Sequence, residues 1–233
     1  MDISMIKGDF LKEMNFLEVS ENFLPLEVCN LLISFFDNEN SFKTGMVDKN
    51  LYNTEFDLQK ETSSDLIFLN EWDLSYRDML IELQGNLEKG IANYYNKYKF
   101  PNQYSADEIV ERGYDFFNRC NPFIMKMYEK GIEESLNFDW GNNSSEIARQ
   151  VSVIWCLNDV EEGGQIKFPY QGIEIKPKAG SIIIFPSNYT HIHMSEAPIS
   201  DDRYIITTAV TNFYPRWKVE KDSLNSSKMN EVK

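Results

Sequence analysis

The chain has 233 residues, 42% of them apolar and 14% aromatic, which is enough to bury the core of one globular domain and too apolar for a disordered polymer. A formal net charge of -14 repels phosphate backbones at long range and turns the expectation away from nucleic acid as a partner. The opening Met1-Asp-Ile-Ser-Met-Ile-Lys-Gly-Asp9 has no basic region followed by an apolar run, and no stretch is long enough to span a bilayer, so neither a leader nor a membrane association is expected.

Phe16 to Leu24 has the pattern of a short strand and turn, and Pro25 starts a helix whose stripe is Val28, Leu31, Leu32 and Phe35. A longer helix follows, with Tyr76, Leu80, Leu83, Leu87, Ile91, Tyr94 and Tyr98 at alternating steps of four and three. Gly85 and Gly90 weaken its propensity, so packing must hold it. From Phe123 the period changes to that of short strands: 123–128, 151–157, 165–168, 173–175, 181–185 and 204–210, rich in β-branched and aromatic residues. Gly163, Gly164, Gly172 and Gly180 mark the turns between them.

Helices followed by many strands predict an α+β chain with a double-stranded β-helix, or jelly roll, as its core. One domain over 1–217 is expected, with helical support over about 1–119, the strand core over about 120–217, and a polar, frayed tail at 218–233. Cys29, Cys120 and Cys156 are odd in number and widely spaced, with no Cys-x-x-Cys pair. Buried free thiols in a reducing cytoplasm are the expected state.

Chemistry concentrates near the end of the strand region. His193 is followed ten residues later by Arg203, on segments that look like paired strands. An imidazole can hold a transition metal while a guanidinium grips a carboxylate through two N–H groups, so the pair can set a small dicarboxylic acid against a metal. That is the layout of an iron and 2-oxoglutarate site. Taken alone, His193 would be a core histidine, Asp139 a turn residue and Arg203 a surface partner of Asp201 or Asp202. An ion pair between sequence neighbours is too weak to account for the spacing.

Around that pair stand Tyr128-Glu-Lys-Gly131, Asn137-Phe-Asp139, Arg149-x-x-Ser152, Leu157-Asn-Asp-Val-Glu-Glu-Gly-Gly164-x-x-x-Phe168, Gly180-Ser181, Phe185-Pro186, Thr190-His-Ile-His193 and Arg203-Tyr204. In this order and spacing, over about Phe123 to Phe213, the chain resembles the prolyl 4-hydroxylase-like branch of the Fe(II)/2-oxoglutarate dioxygenases, including small phage-encoded members. The resemblance implies Fe(II) and 2-oxoglutarate as cofactor and cosubstrate. It makes Asp139 and His193 metal ligands, with Asn137 at the first ligand position, Arg203 on the far carboxylate of 2-oxoglutarate and Tyr128 donating a hydrogen bond nearby. The implied activity is hydroxylation of a carbon centre, of a prolyl or other peptide residue or of a small molecule, coupled to decarboxylation of 2-oxoglutarate to succinate.

Asn137 departs from the family pattern, which has histidine there. An amide oxygen is a harder, weaker donor to Fe(II) than imidazole, so metal binding should be weak or altered. Two alternatives follow: a pseudo-oxygenase binding module that keeps the pocket, or a rearranged site in which His191, two residues before His193, supplies a second imidazole beside Asp139. Cys156 stands where relatives often carry an aromatic residue, and either widens the cosubstrate pocket or fills core. Glu133 and Glu134 belong to a solvated face. A scaffold protein that uses the sandwich alone would need no convergence of Tyr128, Asp139, His193 and Arg203. Selectivity is assigned to the segments Asn102 to Arg119 and Gly141 to Ile147.

Overall fold

Ten strands divide between two antiparallel sheets in the computed structural model, which describes residues 15–38, 65–69, 77–98, 120–121, 123–137, 139 and 149–211. They are β1 (Glu18–Ser20), β2 (Asp65–Leu69), β3 (Phe123–Tyr128), β4 (Glu134–Asn137), β5 (Arg149–Cys156), β6 (Ile166–Phe168), β7 (Ile173–Ile175), β8 (Ser181–Pro186), β9 (His193–Ser195) and β10 (Arg203–Thr211). The six-stranded sheet runs β1-β8-β5-β10-β3-β2, and the four-stranded sheet β4-β9-β6-β7. Two helices, α1 (Leu26–Asn38) and α2 (Arg77–Tyr98), cover the six-stranded sheet. The arrangement is of the jelly-roll type.

The central strands read as continuous apolar runs because both of their faces are buried. Along β5, Val151, Val153 and Trp155 point to a core shared with Leu32, Phe36, Leu83, Leu87 and Ile91 of the helices. The alternate residues Ile154 and Cys156 point to a second core with Ile166, Phe168 and Ile175 of the smaller sheet. The smaller sheet has only one buried face. Its outer side carries Lys167, paired with Glu174 at 3.4 Å and also with Glu196.

Helix α2 buries Leu80, Leu83, Leu87, Ile91, Tyr94 and Tyr98, as the spacing predicts. Gly90 lets it lie close to β8, since a Cβ there would come within 3.0 Å of the Ile182 side chain. Trp155 donates from Nε1 to Asn86 at 2.8 Å, and Asn86 donates to the Phe23 carbonyl at 2.7 Å, so the buried polar atoms at this contact are satisfied.

Several expectations need correction. Helix α1 is rotated: Cys29, Leu32 and Phe36 are buried and Leu31 is 58% exposed, because residues at steps of three and four from Cys29 share one face and Leu31 lies off it. Strand β2 stands within the region expected to be helical and pairs with β3, while β4 and β9 lack the apolar alternation that would have announced them. His193 and Arg203 are not on paired strands. β9 bonds to β4 and β6, and β10 bonds to β3 and β5, so the two residues belong to different sheets. Tyr189–His191 is a 3-10 turn rather than strand, which removes the alternation expected to put His191 and His193 on one face.

All three cysteines are buried and free. Among the described residues no helix is long and apolar enough to cross a membrane. The tail 218–233 and the segments Asn102 to Arg119 and Gly141 to Ile147 lie outside the described residues.

Candidate active site

Arg203 opens β10 opposite Tyr128 of β3, and its side chain is 0% exposed. The guanidinium carbon sits 4.3 Å from the centre of the Tyr128 ring. Nη1 donates to the Gly164 carbonyl at 3.2 Å, while Nε and Nη2 are buried without a partner. Asp202, a candidate surface partner, instead accepts the Lys130 main-chain N–H at 3.0 Å through Oδ1. A cation out of water with two unpaired donors is costly unless an anion completes it. The fork of a guanidinium matches a carboxylate.

Cys156 lies on the same inward face, with Ser181 opposite it on β8. Burial raises its thiol pKa, against the opposing pulls of the Ser181 hydrogen bond and the Arg203 charge. The wall beside the guanidinium is therefore a neutral thiol.

His193 opens β9 and reaches into the same layer between the sheets. Its ring packs against Phe168 at 5.5 Å and Phe185 at 4.9 Å, the latter across from the other sheet. Nδ1 lies 3.1 Å from the His191 carbonyl, which can only accept, so Nδ1 carries the proton and the Nε2 lone pair is the one left for a metal. Asn137 is the Cα partner of His193 on β4. Asp139, half-buried, lies two residues further on, and its main-chain carbonyl accepts from Arg149 Nη1 at 3.0 Å.

The structure thus brings Tyr128 to Arg203 and Asn137 to His193. Tyr128, Phe168 and Phe185 belong to one buried cluster that links the two pairs. His191 is committed elsewhere: Nδ1 meets Thr190 Oγ1 at 2.8 Å and Nε2 meets the Asn15 carbonyl at 2.7 Å. Burial lowers its pKa, with the Asn15 bond opposing. Both ring nitrogens are used, so the rearranged site loses its second imidazole. Among the described residues no three His, Cys, Asp or Glu side chains form a metal-holding group. The unpaired guanidinium N–H groups fit a carboxylate, and the His193 Nε2 lone pair is the one described donor in this layer that is left for a metal.

Sequence reasoning missed the Gly164 carbonyl as the seat of Arg203, the Phe168–Phe185 walls around His193 and the Arg149 contact to Asp139. Gly163-Gly164 signals only a turn, and a carbonyl partner leaves no mark in the sequence.

Residues 123–211 match the family model of the 2OG-Fe(II) oxygenase superfamily. No curated protein matches the chain. Among solved structures, a viral collagen prolyl hydroxylase from Paramecium bursaria Chlorella virus-1, in complex with 2OG, superposes with a TM-score of 0.58 at 16% identity, over 86% of this chain and 98% of that one. A prolyl-4-hydroxylase from Pseudomonas putida gives 0.55 at 14% identity, over 86% and 95%. A Trichoplax adhaerens prolyl hydroxylase bound to a peptide fragment of the hypoxia inducible factor oxygen degradation domain gives 0.60 at 15%, over 86% and 85%. At these identities the structures show a shared fold, and over residues 123–211 the chain is similar to the 2OG-Fe(II) oxygenase superfamily, whose cofactor and cosubstrate are Fe(II) and 2-oxoglutarate.

Proposed function

We propose that the chain is an Fe(II)/2-oxoglutarate-dependent dioxygenase that hydroxylates a carbon centre of a peptide, a prolyl residue among the candidates. The observation that carries this reading is the Arg203 guanidinium, buried with two unpaired N–H groups beside Tyr128. When bound, Fe(II) and 2-oxoglutarate supply dioxygen activation coupled to decarboxylation to succinate. The protein supplies position and dryness. Arg203 Nε and Nη2 would donate to the far carboxylate of the diacid, and Tyr128, whose ring lies against that guanidinium, would donate a hydrogen bond nearby. His193 Nε2 and Asp139 would hold the metal, and an amide at position 137, the Cα partner of His193, would offer a harder oxygen donor than imidazole. The His191 carbonyl fixes the His193 tautomer and ring orientation, and Phe168 and Phe185 keep water from the ring. A peptide substrate is supported by the Trichoplax structure of the same fold, which holds one.

The test is succinate formation from 2-oxoglutarate by purified protein with Fe(II), under air, with and without proline-containing peptides. Absence of both 2-oxoglutarate binding and turnover refutes the reading. A silent parent that gains turnover in Asn137→His is instead a binding module that keeps the diacid pocket.

A further inference from the structure

Asp139 lies beyond the last register pair of β4, Asn137 with His193, so the ladder does not fix its main chain. Its described tie is to the other sheet. Arg149 begins β5, where its Cα partner is Thr211 of β10, and its Nη1 donates to the Asp139 carbonyl at 3.0 Å. The contact ties the Asp139 main chain to the start of β5 in the six-stranded sheet. Arg149 Nε is buried and unpartnered, so hydrogen bonding within the fold does not use up this guanidinium. The single Nη1–H bond comes from a rigid, planar guanidinium, which gives it a more defined direction than the rotatable ammonium of lysine would.

We infer that Arg149 is a positioning residue for the metal site, holding Asp139 in place through its main-chain carbonyl. This rests on the reading of Asp139 and His193 as metal ligands. Ligand-supporting contacts of this kind are worth roughly 10–100-fold in metal affinity.

The experiment titrates Co(II) into the metal-free full chain and follows its visible absorption, with circular dichroism confirming the fold. Binding by the parent and its loss in His193→Ala are expected. Arg149→Met is expected to bind at least ~10-fold more weakly with an altered Co(II) spectrum, and Arg149→Lys to fall between the two. Parent affinity and parent spectrum in folded Arg149→Met overturn the inference while leaving the metal site standing. If Arg149→Met does not fold, Arg149→Lys decides: weakened binding with a shifted spectrum supports the role, and parent values overturn it. A parent that binds no Co(II) overturns the ligand reading and the inference together.

Discussion

Replacing Arg203 by methionine should separate its part in binding from its part in folding. In the free protein the guanidinium is fully buried, with one hydrogen bond to Gly164 and the face of Tyr128 as its attractive contacts. Losing the bond costs about 1.5–3 kcal/mol and losing the ring contact about 0.5–2 kcal/mol. Removing two unpaired buried donors returns about 1–3 kcal/mol each. These contributions nearly cancel, and methionine fills the volume of the arginine stem, so the ligand-free protein should stay within about 2 kcal/mol of the parent, or roughly 5 °C in Tm. Binding behaves differently. Truncating one partner of a buried charge pair costs about 2–5 kcal/mol, so 2-oxoglutarate should bind roughly 30- to 4000-fold more weakly. Calorimetry with Mn(II) as the metal reads this directly. 2-Oxobutyrate, which lacks the far carboxylate, serves as the internal control: parent and variant should bind it within about threefold of one another. Parent-like 2-oxoglutarate affinity in the variant, or a stability loss above about 4 kcal/mol, would show that Arg203 is a structural cation and not a carboxylate seat.

Asn137→His replaces a hard amide oxygen with imidazole and should tighten Co(II) binding by at least ~10-fold, measured by titration; unchanged affinity removes position 137 from the metal site. Gly163→Ala forces a side chain onto φ +74° and sets its Cβ 2.3 Å from the Ala197 carbonyl. It should lose about 2 kcal/mol or more in denaturant unfolding and weaken 2-oxoglutarate binding, because the next residue's carbonyl holds Arg203; parent-like stability would show that the turn accepts a Cβ. Burial, opposed by the hydrogen bond at Gly180, pushes the Cys29 thiol from 9.0 up to about 11. Between those values the unfolded chain releases a proton that the folded chain keeps, so stability falls as pH rises through that window, by up to roughly 3 kcal/mol. Cys29→Ala should flatten this alkaline slope relative to the parent in unfolding midpoints, and an identical slope would remove Cys29 as its source.

Much of the scaffold is legible in the residues themselves. The four-and-three steps from Leu80 to Tyr98 place α2 correctly, because a helix has one period and a long stripe averages over its irregular positions. In α1 the stripe is short and Leu31 is apolar yet exposed, so the pattern alone assigns the wrong face. Strands β3, β5, β8 and β10 are enriched in β-branched or aromatic side chains, whereas Glu134–Asn137 and His193–Ser195 carry no such signal. Those two short strands are held by pairing with neighbours, and pairing is not local information.

At the site, the sequence determines that an imidazole and a guanidinium lie ten residues apart, that an amide stands two positions before Asp139, and that the motifs around them match one family's order. Only the tertiary structure decides that His193 and Arg203 come from opposite sheets, that both ring nitrogens of His191 are already bonded, and that two of the Arg203 donors have no partner. The physical reason is that side-chain periodicity fixes which face of a segment is buried. Which groups meet there, and which remain unsatisfied, depends on segments far apart in the chain packing against one another.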